Sequence, residues 1–149
     1  MQKPQSYLDR IREVIRSQRW AVQAVSAEIP FAYTVGLSQR GLPELAIAGL
    51  PPELCMQLLN RLATRMVDEG LELQDGAKID KVAQGFAVKV HEVDTDVAQE
   101  VLRVAGSLYG TVKAWQVFWP DAHGIFEGEE GFDAKFRGRQ RLLQPDDLS

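Results

Sequence analysis

Residues 31–49 read FAYTVGLSQRGLPELAIAG, and their alternation limits the fold more than any other part of the chain. They form two short strands around a Gly-Leu-Pro loop. Successive side chains of a strand point to opposite faces, so Ala32, Thr34 and Gly36 make one row of small residues and Ala46 and Ala48 make another. A strand face without bulk lets a second layer approach the backbone closely, either a packed helix or a bound ligand. The pattern therefore predicts a sheet with a tightly apposed partner, and it leaves open which partner that is.

The surroundings extend this sheet. Residues 20–26 (WAVQAVS) and 31–37 pair as a hairpin across a turn containing Glu28 and Pro30, and residues 44–49 supply a third strand. Short links make an antiparallel meander the default. Pro51 and Pro52 open a helix whose buried stripe is Leu54, Cys55, Leu58, Leu59, Leu62 and Met66, with Gly70 as its left-handed end. Upstream, Ser6 is placed to cap an amphipathic helix that runs to Ser17 with Leu8, Ile11, Val14 and Ile15 on one face. Residues 71–84 are less regular, with Asp75-Gly76 as a turn signal. Residues 85–93 alternate, placing Phe86, Val88 and Val90 inward and Lys89 and His91 outward. A helix starting at Thr95 or Asp96 and ending at Gly110 precedes an aromatic strand over residues 113–119, which Pro120 stops. The expected class is α+β, an antiparallel, barrel-like sheet of about five to six strands with two main helices and an N-terminal amphipathic helix.

At 149 residues and 45% hydrophobic content the chain suits one domain, 1–149, divided into an N-terminal helix (1–19), a core (20–124) and a charged C-terminal segment (125–149). A net charge of −4 argues against broad nucleic-acid binding. Cys55 is the only cysteine, so no intramolecular disulfide and no cysteine-rich metal motif can form; as part of a helical stripe it reads as a buried thiol. The first residues lack the apolar core of a signal peptide and no uncharged run has the length of a spanning helix, so the expected location is the cytoplasm, without membrane attachment.

Four stretches, residues 31–37 (FAYTVGL), 42–52 (LPELAIAGLPP), 58–63 (LLNRLA) and 115–121 (WQVFWPD), together resemble a bacterial family known as domain of unknown function 4262, over residues 20–144. The family carries a histidine-glycine pair before its first tryptophan where this chain has Gln18-Arg19. It also has a Phe-Pro-Trp-like segment where this chain has Ile125-Phe126-Glu127-Gly128. The resemblance implies boundaries for the fold and brings no assigned activity.

Few residues are placed for chemistry. Glu44 and Asp121 each adjoin a proline at a strand end; two carboxylates in one cleft could act as general acid and base. The structural alternative is that each bonds backbone amides of its own turn. His123 lies beside Asp121, close enough to orient it or be oriented by it. His91 and His123 are the only histidines and have no ligand spacing, so no metal site is expected. Whether the chain is an enzyme is left open; the candidate catalytic residues are Glu44, Asp121 and His123, and no cofactor is specified. For ligand binding the candidates are Tyr33, Thr34, Gly36, Glu44, Trp119 and Asp121, since Thr34 beside Gly36 offers a hydroxyl and accessible backbone, and aromatic rings could wall the pocket. The competing use of these aromatics is the core.

Three readings follow. The first is a small-molecule-binding protein with its pocket beside the FAYTVGL and WPD motifs, in which Thr34, Glu44 and Asp121 would converge. Arg40, Arg61 and Arg65 are the only cations near its first strands that could hold a phosphate. The second is an acidic protein-interaction module of inhibitor or immunity type, resting on Glu127, Glu129, Glu130 and Asp133 and favoured if Phe126 and Phe132 are exposed. The third is a non-catalytic subunit of a homodimer or other homo-oligomer.

Overall fold

The computed structural model describes residues 3–142, with side chains from Tyr7 onward. The chain runs α1 (Lys3–Gln18), β1 (Ala21–Val25), β2 (Phe31–Val35), a 3-10 turn (Leu37–Arg40), β3 (Glu44–Ala48), α2 (Pro52–Glu69), β4 (Lys78–Ala83), β5 (Phe86–Val93), α3 (Thr95–Val101), α4 (Arg103–Tyr109), β6 (Ala114–Phe118) and a second 3-10 turn (Ala134–Phe136). The α+β class is as expected, but the sheet is neither barrel-like nor wholly antiparallel. Its six strands lie in the order β1-β2-β3-β6-β5-β4, with β1 and β4 as open edges. β6 enters beside β3 in the same direction, pairing Glu44 with Ala114 and Ile47 with Val117. The other pairings are antiparallel, the opening β1-β2-β3 meander included. The long path through α2, the β4-β5 hairpin and two short helices supplies the crossover that a parallel pair needs.

Helices cover both faces. Under α2 lie Trp20, Ala32, Leu45, Ile47, Val88, Val90, Val117 and Trp119, packed with Cys55, Leu58, Leu59 and Leu62. The opposite face carries Phe31, Tyr33, Val35, Ala46, Ala48 and Ala114 against Ile15 of α1 and Ala98, Val101, Leu102 and Ala105 of α3 and α4. Both rows of small residues thus serve close helix packing. Gly36 is tighter still: at φ +129° a Cβ there would stand 3.0 Å from the Trp20 Cα.

Three local expectations change. α1 starts at Lys3, so Ser6 lies inside the helix rather than before it; its side chain lies outside the described residues, as does Leu143, expected with Leu142 to pack the terminal segment. The helix read over residues 95–110 does start at Thr95, capped by Asp94, which accepts from the Asp96 N–H, but it breaks at Leu102 (φ −89°, ψ 63°), which is fully buried. The irregular segment contains β4, whose register with β5 shifts between Ile79 and Ala83. Lys81 sits in that bulge at φ +67°. Among the described residues no helix is long and apolar enough to cross a membrane.

Candidate functional site

Glu44 is fully buried, and its carboxylate is saturated. Oε1 accepts from the Thr34 hydroxyl (2.7 Å) and the Leu37 N–H (3.2 Å). Oε2 accepts from the N–H groups of Gly36 (3.2 Å) and Ser38 (2.9 Å) and from the Ser38 hydroxyl (2.6 Å). These amides open the 3-10 turn, whose first N–H groups have no partner within it; Glu44 supplies their acceptor. Thr34 Oγ1 also accepts from the Leu45 N–H at 2.9 Å. This is the knot that closes β2, the turn and β3. No lone pair faces a cleft.

Tyr33 is buried on the other face, its hydroxyl accepting from the Val104 N–H at 3.0 Å. Burial pushes its phenol up to about 12. Trp119 lies under α2, donating its indole N–H to the Ala48 carbonyl at 2.8 Å and meeting the Phe136 ring edge-on. Tyr33 and Trp119 therefore cannot wall one pocket.

Asp121 closes the turn after β6. Oδ1 accepts from the N–H groups of His123 (2.9 Å) and Ile125 (3.0 Å), and Oδ2 from that of Asp133 (2.9 Å). These amides, Ile125 first, hold its carboxyl below the usual carboxylate range although burial opposes them. His123 is exposed, and its hydrogen bond to Asp121 is made by its backbone N–H. Because β3 and β6 are parallel, Glu44 at the start of one and Asp121 beyond the end of the other are separated by at least the length of β6, about 13 Å at the usual strand rise. Thr34, Glu44 and Asp121 do not converge.

What Asp121 does is seat the C-terminal segment as an ordered strap. Gly49 (φ +91°) lets Arg139 cross at the end of β3, where a Cβ would fall 2.1 Å from the Arg139 carbonyl oxygen. Gln140 then pairs with Trp119 like a strand: its Oε1 accepts from the Trp119 N–H (3.0 Å) and its Nε2 donates to the Trp119 carbonyl (2.9 Å). The Gln116 amide donates to the Gln140 carbonyl at 2.6 Å.

Between this strap and the outer face of β5 and β6 runs a cleft. One lobe of about 280 Å³ is lined by Lys89, His91, Phe118, Phe126 and Gln140 among others. A second of about 340 Å³ shares His91, Phe118, Gln140 and Arg141 and reaches Val97 and Gln116. α3 and α4 shield the β2-β3 part of this face and leave the β5-β6 part to the strap. His91 stands edge-on to Phe118 at 5.4 Å and turns Nδ1 to Asp75 Oδ1 at 3.4 Å. Its Nε2 has no hydrogen bond among the described residues. No group of three or more metal-ligating residues occurs among the described residues.

The upper wall is held electrostatically. Glu129 accepts from the Phe126 N–H (3.0 Å) and pairs with Lys89 (3.0 Å) and Lys78 (3.3 Å), while both ammonium groups sit over the Phe126 ring. The Phe126 amide first, and then Lys89, bring the Glu129 carboxyl down from 4.5 to about 2. A carboxyl depressed in the folded state stabilises above its unfolded value and loses that contribution as pH falls through the folded one. Protection from hydrogen exchange over residues 126–140, taken relative to the intrinsic rate at each pH, should therefore fall as pH drops from about 4.5 to about 2, and by more than in α2; an equal loss everywhere would refute this local role.

The family model described as Domain of unknown function (DUF4262) matches residues 14–133. The chain belongs to the DUF4262 family. No curated protein and no solved structure matches it. The DUF4262 match takes in the sheet wall of the cleft and Asp121, and it stops before Gly138, Gln140 and Arg141, which form the opposite wall. Sequence reasoning missed His91, Phe118 and Gln140 as neighbours. The outward placement of Lys89 and His91 on an alternating strand was the one signal pointing there.

Proposed function

We propose that this DUF4262 protein binds a small organic molecule in the β5-β6 cleft. The observation that carries the reading is the pairing of two aromatic walls, Phe118 and Phe126, with His91 and Arg141 in a bounded cavity, the mix of apolar body and few polar groups that ligand sites have. Arg141 and the open edge of His91 favour a ligand with an acceptor or anionic group, such as an aromatic carboxylate. The cleft adjoins Phe118, just ahead of the WPD turn, and its lining includes none of Tyr33, Thr34, Gly36, Glu44, Trp119 and Asp121, where the sequence reading put its pocket.

The interaction-module reading has less support. Phe126 and Phe132 are 2% and 8% exposed, and the acidic stretch is engaged internally: Glu129 holds Lys78 and Lys89, and Glu127 accepts from the Gly138 N–H at 3.1 Å. For a homodimer, Val14 and Met56 are the exposed large hydrophobics among the described residues, and they make no apolar patch.

Native mass spectrometry of freshly purified protein tests the reading. Wild type should carry a non-covalent mass increment that Phe118→Ala loses while keeping its fold. A bare wild type, or the same increment on both proteins, would count against the cleft.

A further inference from the structure

On the α2 side of the sheet, away from the cleft, a groove of about 450 Å³ is lined by Asn60, Arg61, Thr64, Arg65, Glu69 and Lys81. Arg61 and Arg65 are four residues apart on α2 and so share a helix face. Each is anchored to the bulge of β4: Arg65 Nη1 donates to the Asp80 carbonyl at 2.7 Å, and Arg61 Nη1 to the Val82 carbonyl at 3.4 Å. Between those carbonyls stands Lys81, at φ +67°. A bulge re-aims the side chain it carries, and a non-glycine residue in the left-handed region is kept only where its surroundings enforce it. The result is three cations at one groove in a chain of net charge −4.

The groove is rich in donors. Trp20 Nε1 donates to Asn60 Oδ1 at 2.9 Å, which fixes the amide and leaves its Nδ2 hydrogens for another partner. Arg61 spends one N–H on the Val82 carbonyl, and Arg65 spends two, on Asp80 and on Glu69 (3.4 Å). Five N–H groups per guanidinium leave several unspent on each. Lys81 has no partner among the described residues. Glu69 is the sole carboxylate in the lining, and it already faces Arg65. Two planar forks and an ammonium around one opening match the tetrahedral oxygens of a phosphoryl group. We propose that the α2-β4 groove binds the phosphate moiety of a small phosphorylated molecule.

Inorganic pyrophosphate is the probe, titrated by calorimetry and by thermal shift against sodium chloride at matched ionic strength, because simple screening would act alike for both salts. Wild type should show saturable binding. Lys81→Gly is the decisive variant: glycine adopts positive φ without strain, so this protein should melt no lower than wild type, yet bind about tenfold or more weakly for the lost charged contact. Arg61→Gln should weaken binding to a similar degree. Binding unchanged in Lys81→Gly, or a pyrophosphate effect no larger than that of chloride, would overturn the proposal. Neither result bears on the aromatic cleft across the sheet.

Discussion

Glu44→Ala should be the most destabilising carboxylate substitution in the chain, costing about 4 kcal/mol. Five donors converge on that carboxylate, and truncation leaves them facing a buried hole. A buried donor deprived of its acceptor costs about 1–3 kcal/mol; water entering the hole offsets part of the sum. Glu44→Gln should also be damaging, because its amide N–H₂ would face donors where an oxygen is required. Ser38→Ala removes one hydroxyl donor (2.6 Å) and leaves its N–H in place, so about 1 kcal/mol is expected. Urea unfolding midpoints of the variants measure the series. If Glu44→Ala were no worse than Ser38→Ala, the carboxylate would be solvated and free for chemistry, and its role as the knot of the β2-β3 corner would be wrong.

Gly49→Ala should cost about 3 kcal/mol, through backbone strain at positive φ and through collision with a neighbouring chain segment. The new Cβ would lie 2.1 Å from the Arg139 carbonyl oxygen and 3.1 Å from the Trp119 ring. Backbone cannot yield as a flexible side chain does. The strap must lift, taking Gln140 off the Trp119 backbone and removing one wall of the cleft. Hydrogen exchange over residues 133–142 should rise sharply, and ligand binding at His91 and Phe118 should be lost with it. Gly41→Ala is the control: it shares a positive φ (+75°) but meets nothing within 4 Å, so only the conformational penalty of about 1 kcal/mol applies. Equal effects at the two glycines would mean that the strap is not seated on β3.

The alternation in residues 31–49 made the sheet legible, and the small rows were a packing signal all along. Ala46 and Ala48 admit α3 and α4, and Ala32 admits α2. The Pro51-Pro52 start and Gly70 end framed α2 closely. β4 stayed hidden because KIDKVA is an edge strand interrupted by a bulge, so its apolar residues lose strict alternation around Lys81. The insertion of β6 beside β3 was hidden for another reason: strand order depends on which edges meet after the crossover, and no local pattern encodes that. The same limit applies to the candidate site. The sequence singles out Glu44 and Asp121 as carboxylates of one cleft, with bonding to their own turns as the alternative, and their placement at opposite ends of parallel strands needs the topology. Gln140 carries no motif, and its use of a side-chain amide to imitate a strand next to Trp119 is visible only in three dimensions.

The most direct test of the cleft is a ¹H–¹⁵N correlation titration of the wild-type protein with a panel of aromatic carboxylates. Saturable shifts are expected for at least one of them, clustered at the amides of His91, Phe118 and Gln140 and the side-chain amide of Gln116. Shifts confined to other surfaces, or none that saturate, would rule the cleft out as the ligand site.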